Sequence, residues 1–258
     1  MNKYLIYFLL LSSSLIGQST NKEVPFKAGE WLKFRLHYGM VTAGYATLEV
    51  NEDISKNQFI VNGDGWTVGM FKWFFKVEDH YESRMDKTSI LPTHFIRDVY
   101  EGGYTINRKV YFNRQNNSIK VEDEKEDDRE DSLFTVPPMT GDMLSSYYFA
   151  RLVDADTLKI NDKLYFDVFI DYDIYKFSLK FLGRETIDTE FGRVKCLKFS
   201  PLVQSGRVFK EDEGVVLWIS DDDNKILVRM ESELRVGSIY VSLVGFKGLK
   251  HSFSVVHQ

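Results

Sequence analysis

Residues 226–246, ILVRMESELRVGSIYVSLVGF, decide the fold. Ile226, Val228, Met230, Ser232 and Leu234 alternate with Leu227, Arg229, Glu231, Glu233 and Arg235. A period of two sends successive side chains to opposite faces of a strand, so one face meets a core and the other meets water. Only Gly237-Ser238 separates this run from Ile239 to Phe246, which predicts a strand, a tight turn and an antiparallel strand.

The same rhythm recurs outward from this hairpin. Leu32, Phe34, Leu36 and Tyr38 show it, as do Tyr104, Ile106, Arg108, Val110 and Phe112, and Tyr175, Phe177, Leu179 and Phe181. About eleven or twelve such segments, spaced as short antiparallel strands, predict a mainly β fold. The expected architecture is a curved, partly closed antiparallel sheet, barrel-like, with one main α-helix near 140–152. That helix is read from TGDMLSSYYFARL: Pro137-Pro138 stops the preceding strand and Thr140 or Asp142 can cap the free amides. Met143, Leu144, Tyr147, Tyr148 and Leu152 form an apolar stripe, so the helix is expected to pack on or inside the sheet. A second stretch, GWTVGMFKWFF at 65–75, is too aromatic for a solvent loop and predicts a short helix or a bulged strand. Between them, EDEKEDDRED at 122–131 is dense in like charge and is expected to be an exposed tip or mobile loop.

Composition bounds the function. The chain has 258 residues, 43% apolar and 28% charged, with 33 Lys+Arg against 38 Asp+Glu and a net charge of −5. Mild acidity without a basic stripe argues against nucleic acid as a partner. Lys3 followed by YLIYFLLL at 4–11 and a run of serines reads as a secretory signal peptide over 1–17, cleaved after Gly17. The apolar run falls well short of the roughly 20 residues that span a bilayer. A single domain is expected over 18–258, exported to the periplasm or outer envelope. No cysteine stands near the cleavage site, so lipid anchoring is not expected. Cys196, the one cysteine, rules out an internal disulfide and lies in an alternating stretch that predicts a small buried core residue. A membrane barrel is disfavoured, because Lys33, Arg35, His37, Arg97 and Asp98 would put charge on a lipid face.

Chemical motifs are scarce. The chain holds no Gly-x-Ser-x-Gly elbow, phosphate-binding lysine loop or dinucleotide fingerprint. Asp221, Asp222, Asp223 and Asn224 offer clustered oxygens, but read better as a hairpin turn than as a calcium loop. Glu78, Asp79, His80 and His94 have metal or acid-base chemistry, yet stand in alternating strands rather than at helical ligand spacing. No catalytic residue, metal or cofactor is therefore assigned. What stands out is aromatic content beside small residues: Gly44 and Ala46 leave room on one strand face.

Several strings resemble a known family: FKAGE at 26–30 with WLKF at 31–34, Tyr38-Gly39 and Ala43-Gly44, then Pro137-Pro138 before DMLS at 142–145 with Tyr148 and Arg151. Gly192, Cys196, WISDD at 218–222, Leu234 and Gly237-Ser238 extend the likeness, which covers most of the chain. Together they are similar to the bacterial DUF3108 family, exported envelope proteins with no assigned catalytic residues. The resemblance implies a curved, partly closed antiparallel sheet with one main helix, like that of bacterial lipoprotein carriers. The matching positions suggest structural work: Gly29 and Gly39 in turns, Asp142 at the start of the helix and Arg151 at its end. The first functional expectation is a non-enzymatic envelope protein that binds a lipid or other hydrophobic ligand, lined by Trp66, Phe71, Trp73, Phe74, Met143, Tyr147 and Tyr148. The alternative is a structural or assembly partner of another envelope protein. A hydrolase or metal enzyme using Asp79, His80 and His94 ranks third, and the oligomeric state is left open.

Overall fold

A computed structural model describes residues 23–123, 133–203, 214–233 and 237–256. The signal segment at 1–17 and all of the acidic run after Asp123 lie outside the described residues. In chain order the strands are β1 (Trp31–Tyr38), β2 (Val41–Asp53), β3 (Gln58–Thr67), β4 (Val77–Asp86), β5 (Pro92–Glu101), β6 (Tyr104–Asn113), β7 (Ser118–Asp123) and β8 (Leu133–Thr135). Then come β9 (Lys163–Ile170), β10 (Asp173–Thr189), β11 (Gly192–Val203), β12 (Val216–Ser220), β13 (Leu227–Glu233), β14 (Ser238–Lys247) and β15 (Val255–Val256). A short helix, α1 (Gly69–Phe74), joins β3 to β4, and the main helix, α2 (Met143–Ala150), lies between β8 and β9.

All of these strands belong to one antiparallel sheet of 15, more than the alternation predicts, in part because β8 and β15 are too short to show a period. Its path runs β8 to β1 in sequence order, crosses from β1 to β14, and continues back down to β9, while β15 pairs β11. The crossing exists because β1 ladders with β2 on one side and β14 on the other. The sheet is curved but not closed, since its edge strands β8 and β9 are not laddered together.

Side chains and one strand-like contact bring those edges close. The chain after β8 pairs once with β9: the Asp167 carbonyl accepts from the Gly141 N–H at 2.8 Å, and the Gly141 carbonyl accepts from Phe169 at 2.9 Å. Phe134 of β8 meets Phe169 of β9 at 5.3 Å between ring centres. Arg108 adds a polar clasp, donating to Asp123 at 2.7 Å and to Asp171 in the β9–β10 turn at 2.6 Å. Asp123 is thus buried in an ion pair at the end of β7, a correction to the reading of 122–131 as wholly an exposed tip. Arg108 holds its place in the alternation by neutralising carboxylates, not by being apolar.

The helix is fixed at both ends by polar contacts. Asp142 caps it, accepting from the Ser145 N–H at 2.8 Å while the Ser145 hydroxyl accepts from the Asp142 N–H, a reciprocal capping box. The Ser83 hydroxyl of β4 donates to the same Asp142 carboxylate at 2.6 Å, tying the cap to the sheet. At the other end Arg151 makes a bidentate pair with Glu30, at 2.6 and 2.9 Å, with both side chains almost wholly buried at 2% and 0% exposure. Arg151 also donates to the Asn224 carbonyl at 2.9 Å. Its main task is to neutralise a buried carboxylate rather than to complement the helix dipole.

Around this helix the molecule divides. On one side, Phe26, Val50, Phe59, Val61, Met85, Ile90 and Tyr148 form a buried cluster, joined by Leu144 and Tyr147. Gly63 permits this: a Cβ there would stand 3.3 Å from Leu144. Gly44 is needed for a close approach of β2 and β3, because a Cβ would lie 2.4 Å from the Trp66 carbonyl oxygen. On the other side, Phe181, Leu197 and Phe199 face the helix from β10 and β11. Their neighbours Cys196 and Trp218 alternate to the opposite face, where they pack with Val194 and Phe253.

Candidate functional site

Between α2 and strands β9 to β13 lies an apolar cavity of about 320 Å³. Met143, Tyr147 and Ala150 form its helical wall, Phe166, Phe177 and Leu179 one sheet wall, and Leu197, Phe199, Leu217 and Leu227 the other. This volume is at the lower end of small-molecule sites, which run roughly 300–1,000 Å³. The cavity lies beside an eight-residue helix whose cap is tied to β4 on its other side. Tyr147 stands at the divide: its hydroxyl accepts from the Leu227 N–H at 3.2 Å and its ring meets Tyr148 at 5.1 Å.

Besides Tyr147 and Tyr175, polar residues on the wall are few: Ser146, Arg151 and Lys225. The Arg151 guanidinium is neutralised by Glu30 and lies over the Phe26 and Tyr148 rings at 5.2 and 5.0 Å. Lys225 contributes its side chain at the β12–β13 turn, and among the described residues its ammonium has no ion-pair partner. That turn is organised by Asp222, which accepts the Asn224 N–H at 3.0 Å, the Lys225 N–H at 3.2 Å and the Ser220 hydroxyl at 2.8 Å. Asp222 therefore spends its oxygens mainly on backbone amides, as an Asx turn does, while Asp221 accepts from the Arg184 guanidinium at 3.0 Å.

The aromatic residues predicted to line a ligand site fall in three places. Met143 and Tyr147 stand on the cavity wall. Tyr148 points the other way, fully buried against Phe26 at 4.7 Å. Trp66 pairs with Tyr45 on β2 at 6.1 Å, and Phe71, Trp73 and Phe74 ride on α1, none of them on the cavity wall. Residues that reasoning from sequence missed, Phe166, Phe177, Leu179, Leu197 and Phe199, were visible there only as ordinary alternating strand residues.

Three titratable groups off the cavity wall are shifted by burial. Burial pushes the Cys196 thiol up to about 12, which leaves it protonated and unreactive at neutral pH. Burial also pushes the Asp142 carboxyl up to about 6, against the hydrogen bonds from Ser83 and Ser145 that hold it down. Asp79 is raised to about 6 as well, by burial and by the neighbouring Glu101. The trio Asp79, His80 and His94 is not brought together. His80 bonds Asp64 at 2.7 Å, Asp79 alternates to the other face, and His94 pairs in register with Arg84, four residues along β4 and so about 13 Å away. Among the described residues no group of three His, Cys, Asp or Glu side chains could hold a metal ion.

The fold has relatives among solved structures. A β-barrel-like protein from Brucella abortus, described as a domain of unknown function DUF1849, superposes with a TM-score of 0.55 at 8% identity, covering 86% of this chain and 98% of that one. A Bacteroides fragilis protein with a YmcC-like fold gives a TM-score of 0.35 at 10% identity, covering 86% and 97%. A protein from Chlamydia trachomatis gives 0.37 at 8% identity, covering 92% and 96%. The first shares the barrel-like architecture, and the likeness extends to the fold alone. No curated protein matches the chain. The family model for proteins of unknown function DUF3108 matches residues 33–244, from within β1 to within β14, and the chain belongs to that family.

Proposed function

We propose that this protein is a non-enzymatic binder of an apolar ligand, a lipid or a similar long hydrophobe, held between α2 and β9 to β13. The observation that carries the reading is the cavity itself, about 320 Å³ walled almost entirely by aliphatic and aromatic side chains. Walls of that character offer a water few of the two to four polar partners it needs. Filling it with an alkyl chain replaces lost dispersion contacts and removes apolar surface from water, at about 25 cal/mol per Å². Lys225 at the wall would suit an anionic or polar head on the same ligand. The signal-like N-terminus supports work in the cell envelope, where such a ligand is abundant.

Native mass spectrometry of the protein purified without detergent tests this, followed by solvent extraction of any adduct. A stoichiometric hydrophobic adduct is expected, and it should be lost when Ala150→Trp or Met143→Trp fills the cavity. A clean unliganded mass that survives incubation with fatty acids and phospholipids would overturn the reading and favour an assembly role.

A further inference from the structure

We infer that the rim formed by the β1–β2 turn, α1 and the β5–β6 turn beds into the surface of a lipid bilayer. These connections are distant in sequence but adjacent in the sheet, since Tyr38 pairs with Val41, Gly44 with Thr67, Val77 with Glu101 and Glu101 with Tyr104. Between them they leave Met40 100%, Trp73 90% and Phe74 84% exposed, with Met70 and Tyr104 also largely in water. No residue of α1 is buried, although a surface helix ordinarily turns its apolar side inward.

The helix is nonetheless held in place. Phe71 meets Tyr38 at 6.3 Å on one side, Phe75 lies against Gly102 on the other, and the Lys76 ammonium sits over the Tyr100 ring at 5.2 Å. Trp73 and Phe74 are thus displayed on a supported element. An exposed apolar patch of this kind marks an interaction surface.

Its chemistry selects the partner. Trp and Tyr favour the water–lipid boundary, while Phe and Met suit the acyl region below it. The stretch from Gly69 to Lys76 carries two lysines and no carboxylate in a chain of net charge −5, which complements lipid phosphates. Lys76 is paired to Glu78 at 2.6 Å, whereas Lys72 has no ion-pair partner among the described residues. A protein groove would receive one stripe of one helix. Here consecutive positions around α1 and two flanking turns are apolar together, a protruding knob that a fluid phase can close around. The inference uses none of the cavity residues and does not rest on the cavity being occupied.

Co-sedimentation of the purified protein with phosphatidylcholine vesicles, with or without phosphatidylglycerol, is the test. The protein is expected to partition onto both, and Trp73→Ser with Phe74→Ser should lower the partition coefficient at least about tenfold. Lys72→Gln should weaken binding about fivefold, and only on the anionic vesicles. Both positions are exposed, so an unchanged melting temperature and an unchanged far-ultraviolet circular dichroism spectrum would show that the fold is intact. A wild-type protein left in the supernatant with both vesicles, or equal partition of the double variant, would overturn the inference. So would a dimer that the double variant splits while vesicle binding persists, since the rim would then seat a second copy.

Discussion

The two sides of α2 are built from the same alternating strands and the same residue types, yet one is filled and the other hollow. Against β2 to β4, Phe26 and Tyr148 fill the space with their rings 4.7 Å apart, and the Glu30–Arg151 pair closes the cluster. Against β9 to β13, Phe177, Phe199 and Leu179 line a cavity instead. The difference lies in what the helix supplies. It sends Tyr148 and Leu144 into one side, but Met143, Tyr147 and the small Ser146 and Ala150 toward the other. A ligand space is thereby made by leaving side chains out rather than by adding a motif.

The largest effect on this contrast should come from Arg151→Ala. It strands the Glu30 carboxylate in an apolar core and is expected to cost ~3–5 kcal/mol in urea unfolding. Tyr148→Ala, on the filled side, should cost about 3–5 kcal/mol, whereas Phe177→Ala beside the existing cavity should cost less than about 2 kcal/mol. Equal losses for those two would break the comparison, for they would mean that both sides are equally packed.

A pH series sharpens it further. The folded protein keeps a proton on Asp142 between the ordinary carboxyl value of 3.8 and about 6, a range in which the unfolded chain has released it. Stability should therefore fall as pH rises through that window, by on the order of 3 kcal/mol, and level off above it. Asp142→Asn, which can still cap the helix, should remove that contribution and leave the separate one that belongs to Asp79. Gly44→Ala forces β2 from the Trp66 carbonyl and should cost about 1–3 kcal/mol by thermal melting. Trp73→Ser should change stability by less than about 0.5 kcal/mol, because Trp73 is exposed on a helix that buries nothing.

The sheet was legible in the sequence because alternation is a local signal: β1, β6, β10 and β14 each carry it within their own residues. The helix was legible through the Pro137-Pro138 stop and the choice of Thr140 or Asp142 as cap, of which the structure uses Asp142, while the reciprocal bond from Ser145 was not read. The hollow was not, because period two reports which side chains turn inward and nothing about what they meet there. Glu30 and Arg151 are 121 residues apart, a pairing that no local pattern reveals. The aromatic run at 65–75 misled in an informative way. Its density suggested an interior, while Lys72 within it and Lys76 just after it were the sign that water or a membrane surface reaches the element.

The measurement that bears most directly on the cavity is a fluorescence titration with a polyene fatty acid, comparing wild type with Ala150→Trp and Met143→Trp. The account expects saturable one-to-one binding that weakens at least about tenfold in both variants while their melting temperatures stay near wild type. Wild-type protein that does not bind the probe, or variants that bind it as tightly, would contradict the claim that the space between α2 and β9 to β13 is a ligand site.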